Sequence, residues 1–217
     1  LVGDAACPTD LRRSVQSWEW EERTMFGLHL GIRGEVAFTC AEPRLRDAMI
    51  VFCGLDTDQE LLAHLHRIDA GEAGKCEWLH LTIPSLFDAT MAPAGHHILR
   101  AEAVVKYDAS WSTGARAFGD SCLELIKRHA TLGEIVLRRE LTPLDIESKL
   151  STMKRGSIKH GAYTSLQMGY LRPNLLCSQS ETPIGGLFLG GASMYPGGMI
   201  IGGPGYIAAN VVGVFLG

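Results

Sequence analysis

The sequence lacks the signatures of several functional classes. Its six cysteines include no Cys-x-x-Cys pair, which argues against a zinc site or a thioredoxin-like redox pair. A net charge of −4, with no basic stripe, argues against a nucleic-acid partner. No Gly-x-Ser-x-Gly string occurs, so a hydrolase nucleophile is unsupported. No basic region followed by an apolar stretch opens the chain, so we expect a cytoplasmic protein rather than a secreted one.

Metal-ligand spacing is also missing. His64 and His66 are separated by one residue on a predicted helix, so their side chains point to different faces. The adjacent pair His96 and His97 is no better placed to share an ion. We therefore predict no metal site.

Charged side chains are absent from the last 36 residues, 182–217, which hold 11 of the chain's 25 glycines. A short apolar run over 186–189 is followed by small residues over 190–198 and then by an apolar segment of helical length. This pattern predicts a buried strand, a small-residue turn and a helix whose first turn is nearly bare backbone. Free N–H groups at such a helix start suit an anionic or electron-rich ligand. The alternative is that these glycines only allow tight packing at a turn.

The same tail has enough apolar residues over 197–217 to cross about 30 Å of hydrocarbon as a helix. That segment also contains seven glycines, Pro204 and Asn210, and it has no flanking basic residue or aromatic belt. We therefore predict a helix that is buried in protein or lies along a cofactor, and we consider a membrane span unlikely.

Three helices are predicted before this tail. The first covers 57–69, because Thr57 and Glu60 form a capping box ahead of a leucine-rich stretch. The second covers 114–129, where an amphipathic pattern directs four side chains inward: Phe118, Cys122, Leu125 and Ile126. The third begins after Thr142, with proline at its permitted first position.

Strands outnumber helices up to residue 141. Apolar alternation and short apolar runs predict strands over 26–38, 78–83, 97–107 and 134–141. With helices interspersed among them, the pattern favours an α/β chain of the α+β type, in which covering helices pack on a mixed sheet.

Several motifs of this chain occur in the order typical of one group of flavoproteins. They are Leu81-Thr82-Ile83-Pro84-Ser85-Leu86-Phe87-Asp88, Ala92-Pro93-Ala94-Gly95-His96-His97, Thr142-Pro143-Leu144-Asp145, Gly156-Ser157-Ile158-Lys159-His160-Gly161, Gln167, Leu171-Arg172-Pro173 and Thr182-Pro183-Ile184. Together with the tail, they resemble the carboxyl-terminal half of the phytoene desaturase-like FAD-dependent oxidoreductases, within the amine oxidase and phytoene dehydrogenase group. The resemblance covers residues 78–217 and is loose over 1–77.

The resemblance implies FAD as the cofactor. It implies a substrate-domain portion over 1–155, with a mixed sheet and covering helices. It also implies a C-terminal portion of the FAD-binding domain over 156–217, whose strand–turn–helix completes a Rossmann-like fold. The residues that the resemblance places at the flavin are Gly190, Gly191, Ala192, Ser193, Pro196, Gly197, Gly198, Met199 and Ile200.

Two further side chains are candidate site residues. His160 stands in a Gly-x-x-x-His-Gly string that resembles a family motif. It could relay a proton or line the substrate cavity, or it could be structural. Arg172, before Pro173, could anchor an acidic or carbonyl group of a substrate, and its alternative role is a structural ion pair.

The family's N-terminal Gly-x-Gly-x-x-Gly fingerprint is missing. The string Gly203-Pro204-Gly205-Tyr206-Ile207-Ala208 has the right spacing but no following strand or acidic residue. We therefore expect either a fragment or a subunit of a split enzyme, in which a second polypeptide carries the fingerprint. The expected reaction is hydride transfer between flavin and a small apolar or unsaturated substrate. Flavin-dependent isomerisation and a non-catalytic binding subunit are the alternatives.

Overall fold

The structure is a computed structural model that describes residues 3, 7–39, 44, 48–72, 74–198 and 202–217. The chain forms two units. One consists of Glu22–Lys149, and the other combines Leu1–Glu21 with Leu150–Gly217. The assignment of substrate-domain and cofactor-domain roles to 1–155 and 156–217 stays a prediction.

A five-stranded sheet forms the centre of the unit Glu22–Lys149. Its spatial order is β2-β3-β4-β1-β5. In chain order the strands are β1 Arg23–Phe38, β2 Ile50–Cys53, β3 Leu79–Thr82, β4 His96–Lys106 and β5 Ala130–Leu141. The predicted strands are therefore present, and the α+β class is confirmed.

Every strand pair of this sheet is antiparallel, whereas the sequence favoured a mixed sheet. The interspersed helices were the reason for that expectation, since parallel neighbours require crossover connections. Here the helix between β2 and β3 instead joins two neighbours that run in opposite directions.

Five α-helices accompany the strands in the part of the chain that the structure describes. They are α1 Thr9–Gln16, α2 Asp58–Ala70, α3 Trp111–His129, α4 Pro143–Lys149 and α5 Gly203–Leu216. The predicted capping box of α2 is confirmed, because the Thr57 hydroxyl accepts from Glu60 N–H and the Glu60 carboxylate accepts from Thr57 N–H. Thr142 and Asp145 make the equivalent pair of contacts at α4.

The core of this unit lies between β1 and α3. Phe26, Leu28, Leu30 and Ile32 alternate along one face of β1 and are at most 1% exposed. The Phe26 ring contacts Trp111 and Phe118 of α3, at centroid distances of 5.4 and 4.9 Å. All four side chains that the sequence directed inward on this helix are buried. Each such burial contributes about 1.5–3 kcal/mol relative to exposure.

The unit that contains the tail is mostly irregular. The buried strand predicted over 186–189 is instead exposed or half-buried and forms a single bridge, between Phe188 and Glu181, because no strand of this unit's described residues lies beside it. The predicted helix is present but begins at Gly203 rather than near Gly198, and it is not buried in protein, since apolar side chains such as Val214 and Leu216 are exposed. Pro204 explains this start, since its missing N–H and restricted φ suit the first turn of a helix. Among the described residues, no helix has the length and apolarity needed to cross a bilayer.

Candidate functional site

Arg172 is the centre of the segment that contains the predicted site residues. Its side chain is completely buried, and its guanidinium donates hydrogen bonds to backbone carbonyls of several loops. Nη2 lies 2.9 Å from the carbonyl oxygens of both Ala192 and Lys159 and 3.3 Å from that of His160. Nη1 lies 3.3 Å from the Gln167 carbonyl oxygen. One side chain thus joins the loop around residue 160 to the predicted cofactor loop.

Two aromatic rings enclose the same guanidinium. Its Cζ lies 5.1 Å from the ring centroid of Trp18 and 4.9 Å from that of Tyr163, within the range of cation–π attraction. The indole of Trp18 also packs directly on the backbone of Gly161, where a Cβ would overlap the ring. Gly161 has φ of +121°, a conformation that favours glycine, so backbone shape and ring packing both require glycine here.

The charge of Arg172 is only indirectly balanced. Burial lowers its pKa, and the nearby Tyr163 and Glu21 act in the opposite direction. Glu21 is itself buried, and its Oε1 accepts a 2.7 Å hydrogen bond from the Ser157 hydroxyl. Arginine stays protonated under such conditions. Backbone carbonyl groups, rather than the carboxylate of a structural ion pair, therefore surround Arg172. A contact between Arg172 and a substrate stays a prediction.

The predicted cofactor residues 190–198 form an irregular loop that packs on this framework. The Gly198 N–H donates to the Tyr163 hydroxyl at 3.2 Å. A Cβ on Gly198 would lie 2.6 Å from the Cβ of Ala192, so the two backbone segments approach closely. Gly191 and Gly197 have φ of +101° and +107°, which favours glycine at both positions. The predicted residues Met199 and Ile200 lie outside the described residues.

His160 lies in the same framework. It is half-buried and has φ of +54°, which is uncommon for a residue with a side chain. Its backbone carbonyl accepts a hydrogen bond from the guanidinium of Arg172. A role of its imidazole in proton transfer stays a prediction.

An apolar cavity of about 270 Å³ lies beside the loop. Gly190 and Ser193 of the predicted cofactor set line it together with the two tryptophans of the N-terminal segment. The complete lining contains no charged side chain: Leu11, Val15, Trp18, Trp20, Pro173, Asn174, Cys177, Leu189, Gly190, Ser193 and Met194. The cavity suits a neutral, apolar group.

Bare backbone faces open space in and beside this loop. A Cβ at Gly191, Gly202 or Gly205 would meet no atom within 4 Å. Gly202 caps α5, and Gly205 lies in its first turn. Helix N-termini attract electron-rich groups through their free N–H groups and the helix dipole. The residues present therefore fit a flavin, whose ring requires an apolar surface and nearby hydrogen-bond donors.

The sequence interpretation missed how the N-terminal segment contributes to this framework. The side-chain amide of Gln167 pairs with the backbone of Glu19 through two hydrogen bonds of 2.8 Å. Trp18 lies next to this pair. The only sign of this contribution in the sequence is that Trp18 and Trp20 stand among charged residues. That pattern does not indicate which segment they contact.

Comparison with known proteins relates the chain to parts of longer proteins. No family model matches it. The chain is 36% identical over 211 residues to a protein of Castellaniella defragrans that is named as a subunit of limonene dehydrogenase, and the match covers 92% of this chain and 38% of that protein. It is 31% identical over 170 residues to pyridine nucleotide-disulfide oxidoreductase domain-containing protein 2 of Mus musculus and of Rattus norvegicus, a match that covers 73% of this chain and 29% of each protein. The chain thus spans less than two fifths of the length of these relatives. It is similar to one portion of proteins that are named as oxidoreductases.

Proposed function

We propose that this chain is the carboxyl-terminal part of a flavin-dependent oxidoreductase of the phytoene desaturase-like kind. The observation that carries the proposal is the bare backbone of Gly202 and Gly205, which borders open space at the start of α5, together with the open position of Gly191 in the preceding loop. The apolar cavity next to Gly190 and Ser193 supports it. So does the similarity to two kinds of protein named as oxidoreductases.

In this proposal a second polypeptide, or a further stretch of the same one, supplies the dinucleotide-binding half. The relatives support this idea, since each is much longer than the matched portion, and one is named as a subunit. The name of that relative also supports a small apolar substrate for this chain.

Bound flavin would supply the hydride acceptor or donor. The residues of this chain would orient it and exclude water. The first turn of α5 presents N–H groups that favour electron density at a nearby ligand edge. The uncharged lining around Trp18 and Met194 would keep water from an apolar group. Arg172 and Tyr163 would hold the cofactor loop in shape through Ala192 and Gly198.

Native purification from the source cells tests the assembly. We expect an absorption band at about 450 nm, which is typical of an oxidised flavin, to co-purify with the chain. Intact mass measurement should also find a Gly-x-Gly-x-x-Gly segment in a co-eluting polypeptide or in an extension of the same one. A colourless chain without any such segment would overturn the proposal.

A substitution in α5 tests the placement of the flavin. Gly205→Glu adds a carboxylate to the first turn, where the space is open, so the fold should accept it. We expect this carboxylate to repel the electron-rich cofactor and to weaken the affinity for flavin about tenfold or more. A tenfold change corresponds to about 1.4 kcal/mol of binding free energy. Gly205→Gln, which is uncharged, and Gly213→Glu, near the other end of the helix, are the controls. Equal flavin content in all three variants would contradict the placement.

A further inference from the structure

The face of the sheet opposite to α3 carries an unusual set of side chains on its central strand. Leu28 and Leu30 of β1 point into the core, so Gly27, His29 and Gly31 lie on the opposite face. His29 is therefore the one large side chain between two glycines on this face. A Cβ at Gly27 would lie 3.2 Å from His29 Nε2, which places the imidazole over the glycine.

The strand register places an arginine on each side of His29. Arg100 of β4 and Arg139 of β5 are its directly paired residues. Directly opposite residues of antiparallel strands share a face, with Cβ atoms about 4.5–5.5 Å apart. The imidazole thus lies between two guanidinium side chains in one row across the sheet.

The cations near His29 outnumber its anionic neighbours. Arg100 contacts Glu102 at 3.0 Å, and the same carboxylate lies 3.3 Å from Nδ1 of His80. Arg139 is exposed, and within the described ranges no carboxylate lies within ion-pair distance of it or of Lys149, although both cations lie near enough to Asp145 to lower the pKa of its carboxyl group. Donors of Arg139 and Lys149 are therefore available to a bound anion.

The imidazole itself is held in its neutral form. Burial lowers the pKa of His29 most, and the cations Arg100, Arg139 and Lys149 lower it further, while Glu102 acts in the opposite direction. At neutral pH, an imidazole whose pKa is lowered from its ordinary value is mainly uncharged. An anion bound between the two arginines would offset their effect and favour the protonated ring.

An apolar surface adjoins this row. Leu137 of β5 is 58% exposed and lies beside Gly31, its partner in the register. Leu141 lies at the other end of the row, beside Gly27. A ligand that contacts both the arginines and these leucines needs a charged end and an apolar body.

We propose that this face binds the carboxylate of a small organic acid with an apolar body, with the carboxylate between Arg100 and Arg139 and the body against Leu137. A planar carboxylate matches the fork of a guanidinium better than a single point charge does. The site lies within Glu22–Lys149 and requires no flavin, so it stands or falls independently of the proposed function.

Histidine-ring NMR of the full chain tests the site, with sodium benzoate as the probe and benzamide as its uncharged counterpart. Ionic strength is held constant, and His29→Gln assigns the signal. We expect benzoate, and not benzamide, to raise the pKa of His29 while leaving the other histidines unchanged. An equal response to benzamide would overturn the proposal, and so would a response to inorganic phosphate as large as that to benzoate.

A variant that lacks one of the two arginines beside His29 provides a second test of the site. Arg139→Gln should raise the pKa of His29 in the absence of probe, because a neighbouring positive charge is lost. It should also weaken benzoate binding about threefold, the size expected for one exposed charge. Arg33→Gln is the control, since Arg33 is an exposed arginine of β1, the strand of His29, and pairs with Glu134. If Arg139→Gln and Arg33→Gln behave alike, the site is not at His29.

Discussion

At the scale of single residues, Arg172 organises a segment that has little regular secondary structure. A guanidinium has five N–H donors in a rigid plane, which allows it to contact carbonyl groups from several directions at once. Here these carbonyls belong to residues around 160, to Gln167 and to Ala192. The energetic cost of burying the charge is offset by these hydrogen bonds and by the rings of Trp18 and Tyr163.

We predict that Arg172→Met destabilises its unit by about 3 kcal/mol or more, because several buried carbonyls lose their donors. Arg172→Lys keeps the charge but cannot reproduce the planar set of donors, so we expect an intermediate loss. Proteolysis in increasing urea, with the fragments identified by mass, measures both effects. Arg33→Lys is the control, and equal stability of Arg172→Lys and the unchanged chain would contradict the prediction.

At the scale of elements, local signals located most helices and strands. The capping box at Thr57 marks the start of α2, and Gly71, in a left-handed conformation, ends it. Alternation along β1 separates the core face from the opposite face. The tail helix begins later than the glycines at 197 and 198 indicate, because the proline in its first turn marks the start.

We predict that Thr57→Ala costs about 1 kcal/mol of stability, since the Glu60 N–H loses its acceptor. Thr57→Ser keeps the hydroxyl and should retain most of that stability. Urea denaturation followed by far-ultraviolet circular dichroism measures the difference. Identical midpoints for Thr57→Ala and Thr57→Ser would show that the cap contributes nothing.

At the scale of the whole molecule, the N-terminal segment belongs to the same unit as the C-terminal part of the chain. This unit combines residues 1–21 with 150–217, and the two hydrogen bonds between the Gln167 side-chain amide and the Glu19 backbone are one of their connections. The other unit, Glu22–Lys149, has its own sheet and core. Each unit also contains a partly buried tryptophan with several packing contacts: Trp18 in the first and Trp111 in the second.

We predict that Trp18→Ala and Trp111→Ala affect different parts of the chain. Trp18→Ala should speed amide hydrogen exchange over 157–198, where the indole packs on Gly161 and Arg172. Trp111→Ala should speed exchange in β1 and α3, where the ring contacts Phe26 and Phe118. Loss of a fully buried aromatic side chain costs about 3–5 kcal/mol, so we expect a smaller loss for these partly buried rings, which exchange rates still resolve. The same exchange pattern for both variants would contradict this division.

The sequence alone determined what depends on neighbours along the chain. The alternation around Leu28 and Leu30 indicated a strand with one core face, and the hydroxyl of Thr57 three residues before Glu60 indicated a helix start. The antiparallel sheet, the carbonyls that surround Arg172, and the arginines on each side of His29 required the tertiary structure. The arginines beside His29 are 71 and 110 residues away from it in sequence, and the carbonyls around Arg172 come from separate loops. Strand order and packing, which no local periodicity encodes, bring them together.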